Sequence, residues 1–341
     1  MREGMFTDAA TRIAGPVCPD ALNRGARNLL VNCAEIQSGQ TVLIVHEDPA
    51  LGWYDAEAPT AVARNAEALG ARVTMLAAPC PKTPPPGLLD AIAQSDAVIF
   101  FARVGDRQRF CSSLDKHVCV VSYARTAAAL ASDFGTRDHH QMVALKDRLD
   151  QILNEAREIR ITCPWGTEIT GKPPNSVQIE DVTIRRFPWC MPAPVLASGF
   201  SGVVALRGWL TPTGSQAYEP PCLALEEVLF AKIENGRITG FEGSPPQVDK
   251  VVAHYERVAA AFEIDPYAVH SWHPGIHTGC SFDGTASEDP DLWANSVFGS
   301  PRWLHFHTCG NYAPGEICWM VHEPTVIIDG QAIWLSGELC L

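Results

Sequence analysis

No apolar run in this sequence approaches the ~20 residues that a membrane-crossing helix needs, so no membrane partner is expected. The opening residues, Met1 to Asp8, hold no apolar core ahead of a small-residue cleavage site. A cytoplasmic protein is therefore expected. Cysteines spaced C-x-x-C are missing, which argues against a structural zinc ribbon, and the twelve cysteines are expected as free thiols. Neither a G-x-G-x-x-G after a strand nor a G-x-x-x-x-G-K-[ST] is present, so nucleotide binding is not supported. Positive charge is also short: 26 Lys and Arg stand against 39 Asp and Glu, a net charge of -13. That balance disfavours non-specific nucleic-acid binding, which needs a basic face for phosphates.

Histidine, by contrast, is concentrated. His270, His273, His277, His305, His307 and His322 are six of the eleven histidines, all in the last quarter of the chain, with Glu316, Cys280, Cys309 and Cys318 among them. Imidazole, thiolate and carboxylate are the side chains that bind transition metals, and imidazole also titrates near neutral pH. No H-E-x-x-H occurs. Pro274 and Gly275 follow His273, which places that histidine in a loop or turn. His305 and His307 are two apart on one apparent strand, as are Glu316 and Cys318 on another. Each strand can aim two ligand-type residues at one point while Leu304, Phe306, Ile317 and Trp319 face elsewhere. His139 and His140, in a polar stretch, are expected at the surface.

Taken in order, the chain begins with α/β texture. A helix from Cys18 to Ile36 precedes the apolar strand Thr41 to His46. Then come a helix from Ala56 to Leu69, a strand from Arg72 to Leu76, a helix from Gly87 to Gln94, and strands at Asp96 to Phe101 and His117 to Ser122. Continuous apolar strands alternating with helices indicate an open parallel sheet. Arg103, Asp106 and Arg107 follow one strand end, where ligand crevices form in such sheets. A helix from Val143 to Ala156 leads out of this part. Strand-like segments then dominate, with Asn235-Gly236 and Asp329-Gly330 as hairpin turns and one long helix from Gln247 to Phe262. The expected architecture is α/β: an open parallel-sheet domain over residues 1–156 and a β-rich α+β domain over 157–341 that carries the histidines.

The hairpin Asn235 to Gly240, the helix after it, the segment Tyr267 to Gly275 and the tail Pro324 to Gly330 resemble the thermophilic-type metallo-aminopeptidases. They are also similar to the related 2,5-dihydroxypyridine 5,6-dioxygenases, colinearly over most of the chain. The resemblance implies an α/β domain plus a C-terminal metal domain, and a homo-oligomer. It implies an iron ligand at His273, ahead of Pro274-Gly275, and a second ligand pair at Glu316-Ile317-Cys318, where the family has His-x-Asp. The peptidases' His ahead of Gly-x-Asn falls on His305, ahead of Gly310-Asn311. The dioxygenases' acid/base His in a Trp-Pro loop has no equivalent in Phe187 to Cys190.

Two imidazoles and one carboxylate with open positions are the ligands of non-haem iron(II) oxygenases. His273, His305 or His307, and Glu316 are the candidate ligands. The expected function is a mononuclear Fe2+ ring-cleaving dioxygenase acting with O2 on a small hydroxylated aromatic or nitrogen-containing ring. His277 and His322 are candidate acid/base groups, and Trp189, Trp272 and Arg103 candidate substrate contacts. The alternative is a Zn2+ or Mn2+ aminopeptidase or amidohydrolase, which activates water by lowering its pKa. A third reading is a non-catalytic protein that binds a small molecule or metal.

Overall fold

The computed structural model describes residues 17–106, 117–174, 184–213, 218–311 and 315–341; Arg107 lies outside them. The chain divides into two compact units. The fold is mixed α/β, with a parallel-sheet unit and an antiparallel one.

The first unit takes residues 17–145 and 184–190 of the described chain. Its five strands are Thr41–Glu47, Arg72–Ala78, Ala97–Phe101, Val118–Ser122 and Arg185–Phe187. All pair in parallel, and the order across the sheet is second, first, third, fourth, fifth. The apolar runs explain the arrangement. Ala97–Phe101 is buried along its whole length at the centre, whereas Arg72–Ala78 at the edge is exposed or half-buried up to its last residue. The helices Glu57–Ala68 and Leu88–Ala93 connect the strands. The first helix, Pro19–Arg27, continues as π-helical turns over Asn28–Cys33. Within those turns the Asn28 amide donates to the carbonyls of Gly135 and Arg137, at 2.8 and 2.7 Å.

His139 is a correction to the sequence reading. It opens the helix His139–Glu155 and is buried, with its Nδ1 3.5 Å from the Cys190 sulfur. Burial lowers its pKa from 6.5 to about 4, helped by His140 and Arg185 and opposed by Asp138 and Glu35.

The second unit takes residues 146–174 and 191–341, again as far as described. The 13-residue strand Phe200–Pro212 organises it. Its residues 200–203 pair with Glu168–Gly171, its residues 202–210 with Leu223–Glu234, and its far end with Ile317–His322. From there Trp303–Thr308, Val269–Pro274 and Val195–Leu196 extend the sheet, all antiparallel. The two turn signals hold: Asn235 and Gly236 have φ 48° and 72°, and Asp329 and Gly330 have φ 48° and 86°. Positive φ at both central residues is what a two-residue hairpin of matching twist demands.

The helix Pro245–Phe262 lies on one face of this unit's sheet, where Tyr255 is fully buried. Its hydroxyl is 2.5 Å from Thr308 Oγ1 and accepts from Trp319 Nε1 at 2.5 Å. The helix Pro290–Val297 serves a second core cluster, in which Trp293 packs with Trp303, Cys318 and Met320. No described helix is long and apolar enough to cross a membrane.

Candidate functional site

Three adjacent strands set the histidines. Val269–Pro274 pairs with Trp303–Thr308 so that His273 lies opposite His305, and Ser271 opposite His307. Trp303–Thr308 pairs in turn with Ile317–His322, placing Met320 opposite His305 and Cys318 opposite His307. Directly opposed residues share a face of the sheet, so His273, His305 and His307 project together. Trp272, Phe306 and Trp319 form the corresponding row on the other face. His273 is therefore a strand residue, not the loop residue its Pro-Gly neighbours suggested. Pro274 is the last residue of that strand.

All three imidazoles are buried. His273 and His307, diagonal neighbours, bring their Nε2 atoms to 2.9 Å. The partners assign the protons. His273 Nδ1 lies 3.3 Å from the carbonyl of Pro192, which only accepts, so Nδ1 carries the hydrogen. In the neutral ring the Nε2 of His273 is then the acceptor, and His307 Nε2–H donates to it.

His305 is held differently. Its ring is stacked under Phe298, with centroids 3.8 Å apart and planes 24° from parallel. Neither of its nitrogens has a hydrogen-bond partner of good geometry. Burial, then the neighbouring His273, holds its pKa well below the ordinary value, against a weaker contact from the His273 backbone. It is a neutral imidazole at physiological pH. The thiols nearby are also neutral. Burial pushes both Cys318 and Cys309 up to about 12, with Glu316 and Asp265 adding to the shift at Cys309 and Thr211 opposing it at Cys318.

Glu316 is buried just before the start of its strand. Its N–H donates to the carbonyls of Thr308 and Cys309, and its own carbonyl accepts from the Tyr218 hydroxyl at 3.0 Å. Its charge adds to the burial that raises the Tyr218 pKa. Among the described residues no group of three or more His, Cys, Asp or Glu side chains is gathered so as to hold a metal ion.

His277 is fully buried and accepts from the Gly279 N–H at 3.1 Å through Nδ1. His322 ends its strand opposite Trp303, on which its ring lies tilted at 4.6 Å, and it contacts Arg302 and Glu323. Trp272 is buried in the core, edge-on to Phe200 at 5.4 Å.

Arg103 and Trp189 belong to the parallel-sheet unit. Arg103 donates to both oxygens of the buried Glu47 carboxylate and lies over the Trp53 ring at 4.5 Å. Trp189 stacks on Tyr123 at 3.7 Å, and the Tyr123 hydroxyl donates to Asp106. Sequence reading missed Glu47, Tyr123 and Arg125. The available signal was their position, since each lies at or just after the end of an apolar parallel strand.

No protein-family model matches the chain, and no curated protein matches it by sequence. Solved structures do share its fold. The 2,5-dihydroxypyridine dioxygenase of Pseudomonas putida KT2440 superposes with a TM-score of 0.62 at 14% identity, over 95% of this chain and 98% of that one. Wild-type AmpT from Thermus thermophilus superposes with a TM-score of 0.56 at 11% identity, over 94% and 99%. At such identities the likeness is a distant relationship of fold, spanning nearly the whole of each chain.

Proposed function

We propose that the chain is an enzyme acting on a small, flat, hydroxylated ring, with the His273–His307 pair as its proton-handling centre. The observation that carries this reading is the buried Nε2-to-Nε2 contact beside a third imidazole that lacks good hydrogen bonds. Native proteins pair the large majority of their buried polar atoms, and the exceptions cluster where a ligand supplies the partner. A substrate hydroxyl that displaces His307 from His273 meets a neutral Nε2 acceptor. The Pro192 carbonyl on the opposite nitrogen fixes that tautomer and favours the imidazolium that forms. Positioned general acid–base groups contribute about 10²–10⁴ in rate.

Within that class, a ring-cleaving dioxygenase using Fe2+ and O2 is the reading we put first, on the shared fold and on the spacing of the pair. Two nitrogens bound at ~2.1 Å to adjacent positions of one octahedral metal ion stand ~3.0 Å apart, against ~3.4 Å on a tetrahedral one. His273 and His307 fit two such positions. Among the described residues no third donor stands with the pair. A Zn2+ or Mn2+ hydrolase is the second reading, supported by the same pair. Untagged protein should hold about one equivalent of iron and consume O2 with hydroxypyridines or hydroquinones. Turnover of an aminoacyl anilide without O2 would move the assignment to the hydrolase. Absence of bound metal, with every activity indifferent to chelators, would sink both metal readings.

A further inference from the structure

Phe298 follows the helix Pro290–Val297, and its half-buried side chain packs against the cluster of Trp293, Trp303 and Met320. Its ring is stacked on His305, edge-on to His273 at 5.4 Å, and tilted towards His307 at 6.1 Å. One phenyl thus sits against all three imidazoles. A ring at that place covers the face of His305 but offers its nitrogens nothing to bond. Leaving a buried polar group unsatisfied is costly, so a site that retains one is incomplete in this state. A hydroxylated ring of the same size that replaces the phenyl and tilts out of the stack can bring its hydroxyl into the plane of the imidazole, where the nitrogen lone pair lies, and supply the missing hydrogen bond.

We infer that Phe298 is the specificity-determining residue of the histidine site: its phenyl occupies the slot for a single flat ring and leaves it when a ligand with a hydroxyl for His305 enters. This deepens the function proposed above and rests on it for the location of the site. The neutral ring of His305 accepts from the ligand hydroxyl. The slot, bounded by His305 below and His273 at its edge, admits one six-membered ring in the area that the phenyl now covers.

The test is equilibrium binding of phenol and of benzene to the full chain, measured calorimetrically without added metal. Phe298→Ala should bind phenol at least tenfold more tightly than the unsubstituted protein, because the competing ring is gone, and should prefer phenol to benzene. Adding His305→Leu should abolish that preference while benzene binding persists. Equal phenol affinity with and without Phe298, or a phenol preference that survives His305→Leu, would overturn the inference. Phe298→Val removes the ring and shortens the side chain while keeping some apolar contact, and serves if the alanine variant does not fold; failure of both variants to gain affinity counts against the slot. Binding needs neither turnover nor O2. A protein that binds phenol as expected but is inactive therefore retains the slot and loses the enzyme reading, and an active one indifferent to Phe298 does the reverse.

Discussion

Replacing His305 with leucine should make the protein more stable. His305 is fully buried in an antiparallel strand, and both of its ring nitrogens lack a good hydrogen bond. Burying such a group costs about 1–3 kcal/mol relative to a partnered one. Leucine is close in volume and removes that cost. Against it stands the stacking on Phe298, worth about 0.5–1.5 kcal/mol for an aromatic pair. The net expectation is a gain of about 1 kcal/mol, the opposite sign to a typical core substitution, which loses roughly that much. Urea denaturation at pH 7, followed by tryptophan fluorescence, reads the change as a higher midpoint with an unchanged slope. Trp293, Trp303 and Trp319 all report from the same unit. A loss of more than about 1 kcal/mol would mean that His305 is already satisfied in the resting protein, and the argument for a ligand there would fail.

Other expectations follow from the packing. Tyr255→Phe removes the hydroxyl shared by Thr308 and Trp319 and should cost about 1–3 kcal/mol; an unchanged urea midpoint would show that the bridge contributes nothing. Glu47→Ala leaves the Arg103 guanidinium without its bidentate partner and should cost about 3 kcal/mol in the parallel-sheet unit, seen as a lower melting temperature. Gly275→Ala drives a methyl into the Ser300 carbonyl oxygen, 2.1 Å from the Cβ position, and should cost about 1–3 kcal/mol or displace the end of the His273 strand; a circular-dichroism melt reads it. His139 and His254 both have pKa values lowered to about 4, chiefly by burial. Their folded forms favour the neutral ring, so their stabilising contribution is complete above pH 6.5 and is lost as pH falls from there towards 4. After discounting for solvent screening the loss is about 2 kcal/mol for each, and equal stability at pH 7 and pH 4.5 would contradict it.

Much of the frame was legible in the residues because burial on both faces of a sheet writes continuous apolar runs. Thr41–Glu47, Ala97–Phe101 and Val118–Ser122 all lie within a residue or two of where those runs put them. Arg185–Phe187 was not legible: three residues with two arginines carry no period, and only its place beside Val118–Ser122 makes it a strand. Within the site, the two-residue spacing of His305 and His307 gave their common face. It could not give the strand opposite, and so could not distinguish a His307 bound to His273 from a His305 stacked beneath Phe298. Glu316 was placed on the apparent strand by that same spacing. Its backbone instead turns towards Thr308 and Tyr218, where bonds between segments far apart in sequence decide the geometry. His139 misled because a polar neighbourhood in sequence became the buried start of a helix.

The long strand Phe200–Pro212 has a consequence for how the molecule breathes. Its first part is clamped between two neighbours, and its last residues alone, Thr211 and Pro212, hold the edge of the His-bearing strands through Cys318 and Ile317. In native-state hydrogen exchange the amides of residues 202 and 203, paired on both sides, should be among the slowest, released only with the whole unit. The strands of His273, His305 and His307 should exchange sooner, as a smaller block that opens at its junction with Thr211 and Pro212. The histidines would then owe their protection from solvent to a segment that contains none of them.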